Sequence, residues 1–202
     1  MHVSKVRLTQ EERRARTRDA LLESAARGIS RHGYGNLVLE KVAADAGYTR
    51  GAIYHLFRDK EDLALATLAW VSQTWIEEVG RLVGDETDPV SELLALARGH
   101  AIYCRRDIAR VRMMVAAELA GQDHPVGRAV ERTLDTFIER CSRLIAAARQ
   151  AGALTPGPPP RTLARAYFGA LEGLVIQLEG QAPHDELLAE RAARGVLGVA
   201  PA

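Results

Sequence analysis

Cysteine is scarce in this 202-residue chain, which holds only Cys104 and Cys141. Two cysteines make neither a disulfide framework nor a metal set. Both fall within helical patterns, where the expected role is a small buried hydrophobe and the alternative is a reactive thiol. Aromatic residues are 5% of the chain, and apolar alternation and β-branched clusters are nearly missing, which argues against a sheet-rich fold. No apolar run approaches the roughly 20 residues needed to span a bilayer. The N-terminus is charged and has no apolar core of the kind a leader carries. A cytoplasmic location with no membrane partner is therefore expected. Also lacking are a Ser/His/Asp set, a phosphate-cradling glycine loop and any metal-ligand spacing; His100 and His124 have no suitable neighbours in the sequence. No catalytic residue, metal or cofactor is expected, and the protein reads as a non-enzyme.

What the chain does have is 47% hydrophobic residues, rich in Ala, Leu and Arg, which suits an all-α fold with a sizeable core in one or two domains. The net charge is only +1, but residues 1–62 hold 12 Lys/Arg against 9 Asp/Glu, and the first 18 residues hold 6 against 2. A basic end on a near-neutral body suits a partner met at that end, with DNA phosphates the obvious candidate; a solvated charged tail is the plainer alternative.

Residues 1–16, MHVSKVRLTQEERRAR, lack apolar periodicity and read as a flexible basic arm, with helix possible from Thr9. Arg13, Arg14, Arg16 and Arg18 could reach phosphate or the minor groove. Helix 1 is predicted from Thr17 to His32, stopped by Gly33 and Gly35. Helix 2 runs from about Leu39 to Ala46 and helix 3 from Arg50 to Phe57. Helix 4 starts near Lys60 and ends at the break Gly84-Asp85-Glu86-Thr87-Asp88-Pro89. Helix 5 follows Pro89, a residue suited to a first turn, and ends at Arg105-Arg106-Asp107. Helix 6 is expected over Ile108–Ala120. Helix 7, about Val126–Ala151, would be near 40 Å long at about 1.5 Å per residue. Thr155-Pro156-Gly157-Pro158-Pro159-Pro160 makes a stiff connection. Helix 8 spans about Thr162–Glu179 and helix 9 about Glu186–Leu197.

The chemistry concentrates in Leu39–Arg58, LEKVAADAGYTRGAIYHLFR. Ala43 is small enough for a crossing helix. Gly47 permits a left-handed turn that costs a residue with a Cβ about 1–2 kcal/mol. Thr49 can cap the following helix, worth about 1 kcal/mol. Ile53, Leu56 and Phe57 face inward, while Arg50 and Tyr54, four apart, share the outer face beside Gly51 and His55. This is a helix-turn-helix, whose second helix enters a DNA major groove. An ordinary helical hairpin is the bland alternative for the spacing alone.

The run from Thr17 to Leu63 resembles the DNA-binding domain of the TetR family of bacterial transcriptional regulators. Ala46-Gly47-Tyr48-Thr49-Arg50-Gly51-Ala52-Ile53-Tyr54-His55-Leu56-Phe57 followed by Asp59-Lys60-Glu61 looks like that family's signature. One departure is Leu37-Val38, where the family usually has a capping Thr or Ser; Asn36 would take over the cap. The resemblance implies an N-terminal three-helix domain over 17–62 and a helical ligand-binding and dimerisation domain over 63–202. It also implies a homodimer built on helices 8 and 9, whose apolar surface exceeds what one helical layer can hide. A monomer with every helix packed internally is the alternative.

On this reading the protein is a ligand-responsive repressor that binds double-stranded DNA at a palindrome. Arg50 would read a base edge, Gly51 would allow close approach, and Thr49, Tyr54, His55 and Lys60 would hold phosphates. Thr17 would join them through the start of helix 1. An unidentified small-molecule effector is expected among helices 4–7. Residues of mixed character there are Trp75, His100, Tyr103, Cys104, Met113, Met114, Glu118 and Phe137, with Tyr167 and Glu172 on helix 8. Core packing is the plainer role for each. An effector would alter the spacing of the two reading heads through helix 4. The competing functions are an activator or nucleoid-type protein with the same head, and an all-helical carrier or enzyme with a vestigial DNA-binding end.

Overall fold

The computed structural model describes residues 9–84, 86, 88–178 and 181–199. Among them are nine α-helices and no strand: α1 (Gln10–His32), α2 (Leu39–Asp45), α3 (Arg50–Leu56), α4 (Lys60–Val83), α5 (Pro89–Cys104), α6 (Val111–Glu118), α7 (Pro125–Gln150), α8 (Pro160–Gln177) and α9 (His184–Leu197). The all-α class is as expected. Residues 1–8 of the expected arm, Asp85 and Thr87 of the expected break and Glu179 of the expected helix 8 lie outside the described residues. The chain forms two compact units: residues up to Trp70 with Arg110–Gly127, and Val71–Ala109 with the chain from Arg128 onward.

In the first unit, α1 begins seven residues earlier than the periodicity suggests. Thr9 and Glu12 make a reciprocal capping box: the Glu12 N–H donates to the Thr9 hydroxyl at 3.1 Å, and the Thr9 N–H donates to the Glu12 carboxylate at 2.7 Å. Two otherwise orphaned donors are satisfied, so residues 10–16 are the opening turns of a helix rather than a flexible arm. Leu21, Leu22, Ala25, Ala26 and Ile29 form its buried face, and Ser24 donates to the Val42 carbonyl of α2 at 3.1 Å. Asn36 does not cap α2, which has no side-chain cap; its amide instead donates to the His32 carbonyl at 2.8 Å and closes the end of α1. Gly47 adopts φ +76°, as the turn between α2 and α3 requires. Thr49 accepts from the Ala52 N–H at 3.3 Å, capping α3, and Asp59 accepts from the Asp62 N–H at 2.8 Å at the start of α4.

The stretch 110–127 joins this first unit rather than the second. Its helix is shorter than expected, Val111–Glu118, and packs on α1. The Glu118 carboxylate accepts the Gly35 N–H at 2.7 Å, and His124 sits edge-on to Tyr34 with ring centres 5.5 Å apart.

The second unit is built around α5, which packs on α8 and α9, while α8 and α9 pack on each other. Leu93, Leu94, Ala97 and Ala101 of α5 share a core with Ile138, Cys141 and Ile145 of α7, Ala164, Tyr167 and Leu171 of α8, and Ala189, Ala193 and Leu197 of α9. A Cβ at Gly99 would fall 2.8 Å from Val79 Cγ1, so this glycine lets α4 and α5 approach closely. Pro160, assigned from sequence to the stiff connection, is the first residue of α8; its missing N–H would have had no helical partner there. The Arg105 guanidinium binds Asp185 at 2.9 and 2.7 Å and Glu186 at 3.0 Å, tying the end of α5 to the start of α9.

Candidate nucleic-acid interface and effector site

Helix α3 has only seven residues, too few to persist alone. It is held by the Thr49 cap, by the Gly47 turn and by its inner face, where Ile53 is 0% and Phe57 2% exposed. That anchoring turns the opposite side outward. The Arg50 side chain is 75% exposed, Tyr54 is 43% exposed, and Thr49, Gly51 and His55 are exposed beside them. A Cβ at Gly51 would meet only the Thr49 hydroxyl, at 3.9 Å. The protein's own packing therefore does not require a glycine there, and the bare backbone faces outward.

Glu40, the second residue of α2, completes this surface and was not among the candidates from sequence. Tyr54 donates its hydroxyl to Glu40 Oε1 at 2.8 Å, Arg50 Nε lies 3.4 Å from the same oxygen, and the Arg50 guanidinium sits 5.5 Å from the Tyr54 ring centre. The bond to a carboxylate raises the Tyr54 pKa, and the same bond, with help from Arg50, lowers that of Glu40. Glu40 is 14 residues from Tyr54, and no local spacing rule links them.

Two further candidates sit differently from the expectation. Thr17 lies within α1 rather than at its start, and its hydroxyl donates to the Arg13 carbonyl at 2.9 Å. A contact through the helix start is thereby lost, because that start is at Gln10. The Lys60 ammonium donates to the Gly35 carbonyl at 2.6 Å and lies 4.6 Å from the Tyr34 ring centre, so it braces the loop after α1. Arg18, also expected to reach phosphate, sits over Phe57 with its guanidinium 5.5 Å from the ring centre.

Five of the effector candidates come together in the second unit: Trp75, His100, Phe137, Cys104 and Glu172. Trp75 of α4, His100 of α5, Phe168 of α8 and Phe137 of α7 form a closed circuit of rings with neighbouring centres 5.3–6.5 Å apart. Phe168 was missed from sequence, where it reads as one more apolar residue of helix 8. The Trp75 indole N–H donates to His100 Nδ1 at 3.2 Å, and His100 Nε2 faces Glu172 Oε1 at 3.3 Å. Cys104 Sγ lies 3.6 Å from His100 Nε2, so this half-buried cysteine is not the simple buried hydrophobe expected. Cys141 is buried, and burial pushes its thiol up to about 12. Burial alone would depress the His100 pKa; Cys104 and Glu172 outweigh it and hold the imidazole up to about 9.

The other effector candidates are not part of this ring circuit. Tyr103 is buried, its hydroxyl bonded to the Val71 carbonyl at 3.1 Å and to Thr74 at 2.8 Å. Tyr167 is fully buried and donates to the Leu93 carbonyl at 2.7 Å. Met113, Met114 and Glu118 are in the first unit, because α6 packs against α1 there. Among the described residues no group of three or more His, Cys, Asp or Glu is placed to hold a metal ion, and no helix is long and apolar enough to cross a membrane.

Residues 21–67 match the family model for bacterial regulatory proteins of the tetR family. The chain is 32% identical over 89 residues to the HTH-type transcriptional regulator HbdR of Aromatoleum sp., a match covering 43% of this chain and 37% of that one. Curated relatives are matched over 26–37% of their own length. Solved structures share the fold along nearly the whole chain. SCO4454, a TetR-family transcriptional regulator from Streptomyces coelicolor, superposes with a TM-score of 0.72 at 24% identity, covering 92% of this chain and 94% of that one. AibR, solved with isovaleryl coenzyme A and operator DNA, superposes with a TM-score of 0.69 at 22% identity, covering 90% and 98%. Residues 21–67 thus carry a domain of the tetR-family type, and the chain as a whole shares the fold of solved TetR-family regulators.

Proposed function

We propose that this protein is a ligand-responsive transcriptional repressor that binds a palindromic operator as a homodimer. The observation that carries the reading is the two-sided character of α3: Ile53 and Phe57 lock it inward, and Arg50, Gly51, Tyr54 and His55 are presented outward. Arg50 reads a base edge, best matched to guanine O6 and N7, at about 1–3 kcal/mol of discrimination. Gly51 admits the duplex closely, and Thr49, Tyr54 and His55 meet phosphates. Lys60 contributes through the loop it braces, and Thr17 adds at most a flanking contact from the side of α1.

One such head reads few base pairs. Two heads about 34–36 Å apart on a palindrome multiply the discrimination. The support for pairing through α8 and α9 is their outer surface. Gly169 and Gly173 of α8 and Gly195 of α9 have open space where a Cβ would stand, and Ile176, Leu187 and Leu188 are exposed. Glycine within a helix costs about 1 kcal/mol relative to alanine, so glycines unneeded by the chain's own packing suit close approach by a second copy.

The effector reaches the second unit at the ring circuit of Trp75, His100, Phe137 and Phe168, with Tyr103 and Tyr167 as supports of the surrounding core. It shifts the population between dimers that fit the operator and dimers that do not, through α4, which contributes residues to both units. AibR, which shares the fold, was solved with isovaleryl coenzyme A and operator DNA, and that supports the reading.

Selection from a random duplex library, followed by footprinting upstream of the protein's own coding region, tests the reading. A palindromic motif protected over the start site is expected. Arg50→Ala should relax one position in each half-site, whereas Tyr54→Ala should weaken all sequences alike. Recovery of no motif, or full affinity in the Tyr54→Ala protein across a salt titration, would overturn it.

A further inference from the structure

We infer that Glu40 sets the specificity of the DNA-reading surface: it holds Arg50 and Tyr54 in position and keeps both from phosphates of non-matching DNA. The inference rests on the proposal that α3 reads DNA.

Glu40 extends from α2 to α3 and closes a triangle of three surface side chains. Its carboxylate accepts the Tyr54 hydroxyl at 2.8 Å and lies 3.4 Å from Arg50 Nε, and the Arg50 guanidinium is 5.5 Å from the Tyr54 ring centre. The Glu40 side chain is itself 42% exposed, so nothing in the core requires a carboxylate there.

Three chemical consequences follow. A tyrosine hydroxyl has one proton, and while Glu40 accepts it a phosphate cannot. An arginine has five N–H donors; with Nε turned to Glu40, the fork is pre-set and loses less rotamer freedom when it meets a base edge than a freely moving side chain would. A carboxylate close to a polyanion also repels it, whatever the sequence. Glu40 therefore subtracts affinity from every duplex and returns some of it only where Arg50 finds its base. Discrimination is a difference of affinities, and a repulsive group of this kind widens it.

The test uses the full chain in three forms: wild type, Glu40→Gln and Glu40→Ala. A motif is selected from a random duplex library with each, and binding to the wild-type motif and to a scrambled duplex is then measured by fluorescence anisotropy at several salt concentrations. Both variants should bind the scrambled duplex about tenfold more tightly. Their ratio of motif to scrambled affinity should fall by a similar factor, and the salt slope should steepen by about one charge. Melting temperatures should stay at the wild-type value, because a merely structural Glu40 would move stability and leave the ratio alone. A ratio within twofold of wild type in both variants, with an unchanged salt slope, overturns the inference. If wild type itself selects no motif, the DNA-reading proposal fails instead, and the two failures are thereby told apart.

Discussion

Tyr167 shows how a single polar atom is accommodated in an apolar core. Its ring is fully buried, and its hydroxyl donates to the Leu93 carbonyl at 2.7 Å, while burial holds its pKa well above the ordinary range. Tyr167→Phe keeps the ring and removes one buried hydrogen bond, so a loss of about 1–2 kcal/mol is expected in urea unfolding; an unchanged midpoint would show the bond to be dispensable. His100 makes a second case. Its folded pKa of about 9 stands above the ordinary 6.5. A raised pKa gives stabilisation that is complete below pH 6.5 and is lost as pH rises through about 9. The Trp75 N–H needs the Nδ1 lone pair, so a proton arriving there must displace that bond. Melting temperature should fall between these two pH values, Trp75 fluorescence should titrate with it, and His100→Gln should flatten both. A wild-type profile as flat as the variant's would refute the assignment.

At the scale of elements, helix ends and inter-helix clamps decide which segments hold together. Thr9→Ala removes the capping box of α1 and should cost about 1 kcal/mol, with faster amide exchange confined to its first turns. Gly33 ends α1 at φ +81°, and a Cβ there would run into the Glu118 carboxylate. Gly33→Ala must therefore adopt a strained backbone and also displace Glu118 from the Gly35 N–H; a loss of about 1–3 kcal/mol is expected in chemical denaturation. In the second unit Asp185 is 4% exposed and takes two bonds from Arg105. Those bonds lower its pKa below 3.8, so its stabilising effect is complete above that value and is lost as pH falls through the lowered one. Asp185→Ala leaves the Arg105 charge without its best partner and should cost about 2 kcal/mol at neutral pH. That difference from wild type should shrink in acid.

For the whole molecule the informative substitutions separate the fold of one chain from the association of two. A Cβ at Gly173 of α8 meets nothing within 4 Å in the single chain. Gly173→Ala should therefore leave the protomer as stable or stabilise it by up to about 1 kcal/mol. Gly173→Leu should leave the protomer folded by circular dichroism but push a partner helix away. Sedimentation should then show a shift toward monomer and a matching loss of operator affinity. A Gly173→Leu protein that remains dimeric would place the association surface elsewhere.

Much of this molecule was legible in the sequence because helix signals are local. The Gly47 turn, the Thr49 cap and the inward spacing of Ile53 and Phe57 each act over a few residues, and they are enough to put Arg50 and Tyr54 outside. The Thr9 capping box is equally local, yet it lay in a stretch without apolar periodicity, which is why residues 10–16 read as an arm. Periodicity is silent on how helices cross. The tertiary structure alone brought Glu40 to Arg50 and Tyr54, turned Asn36 to the end of α1 rather than the start of α2, and drew residues 110–127 to the first unit. It also joined Trp75, His100, Phe137 and Phe168 into one circuit and Arg105 to Asp185 across 80 residues. Each of these pairings depends on where one helix packs against another, and a hydrophobic stripe specifies that a helix must pack without naming the partner or the register.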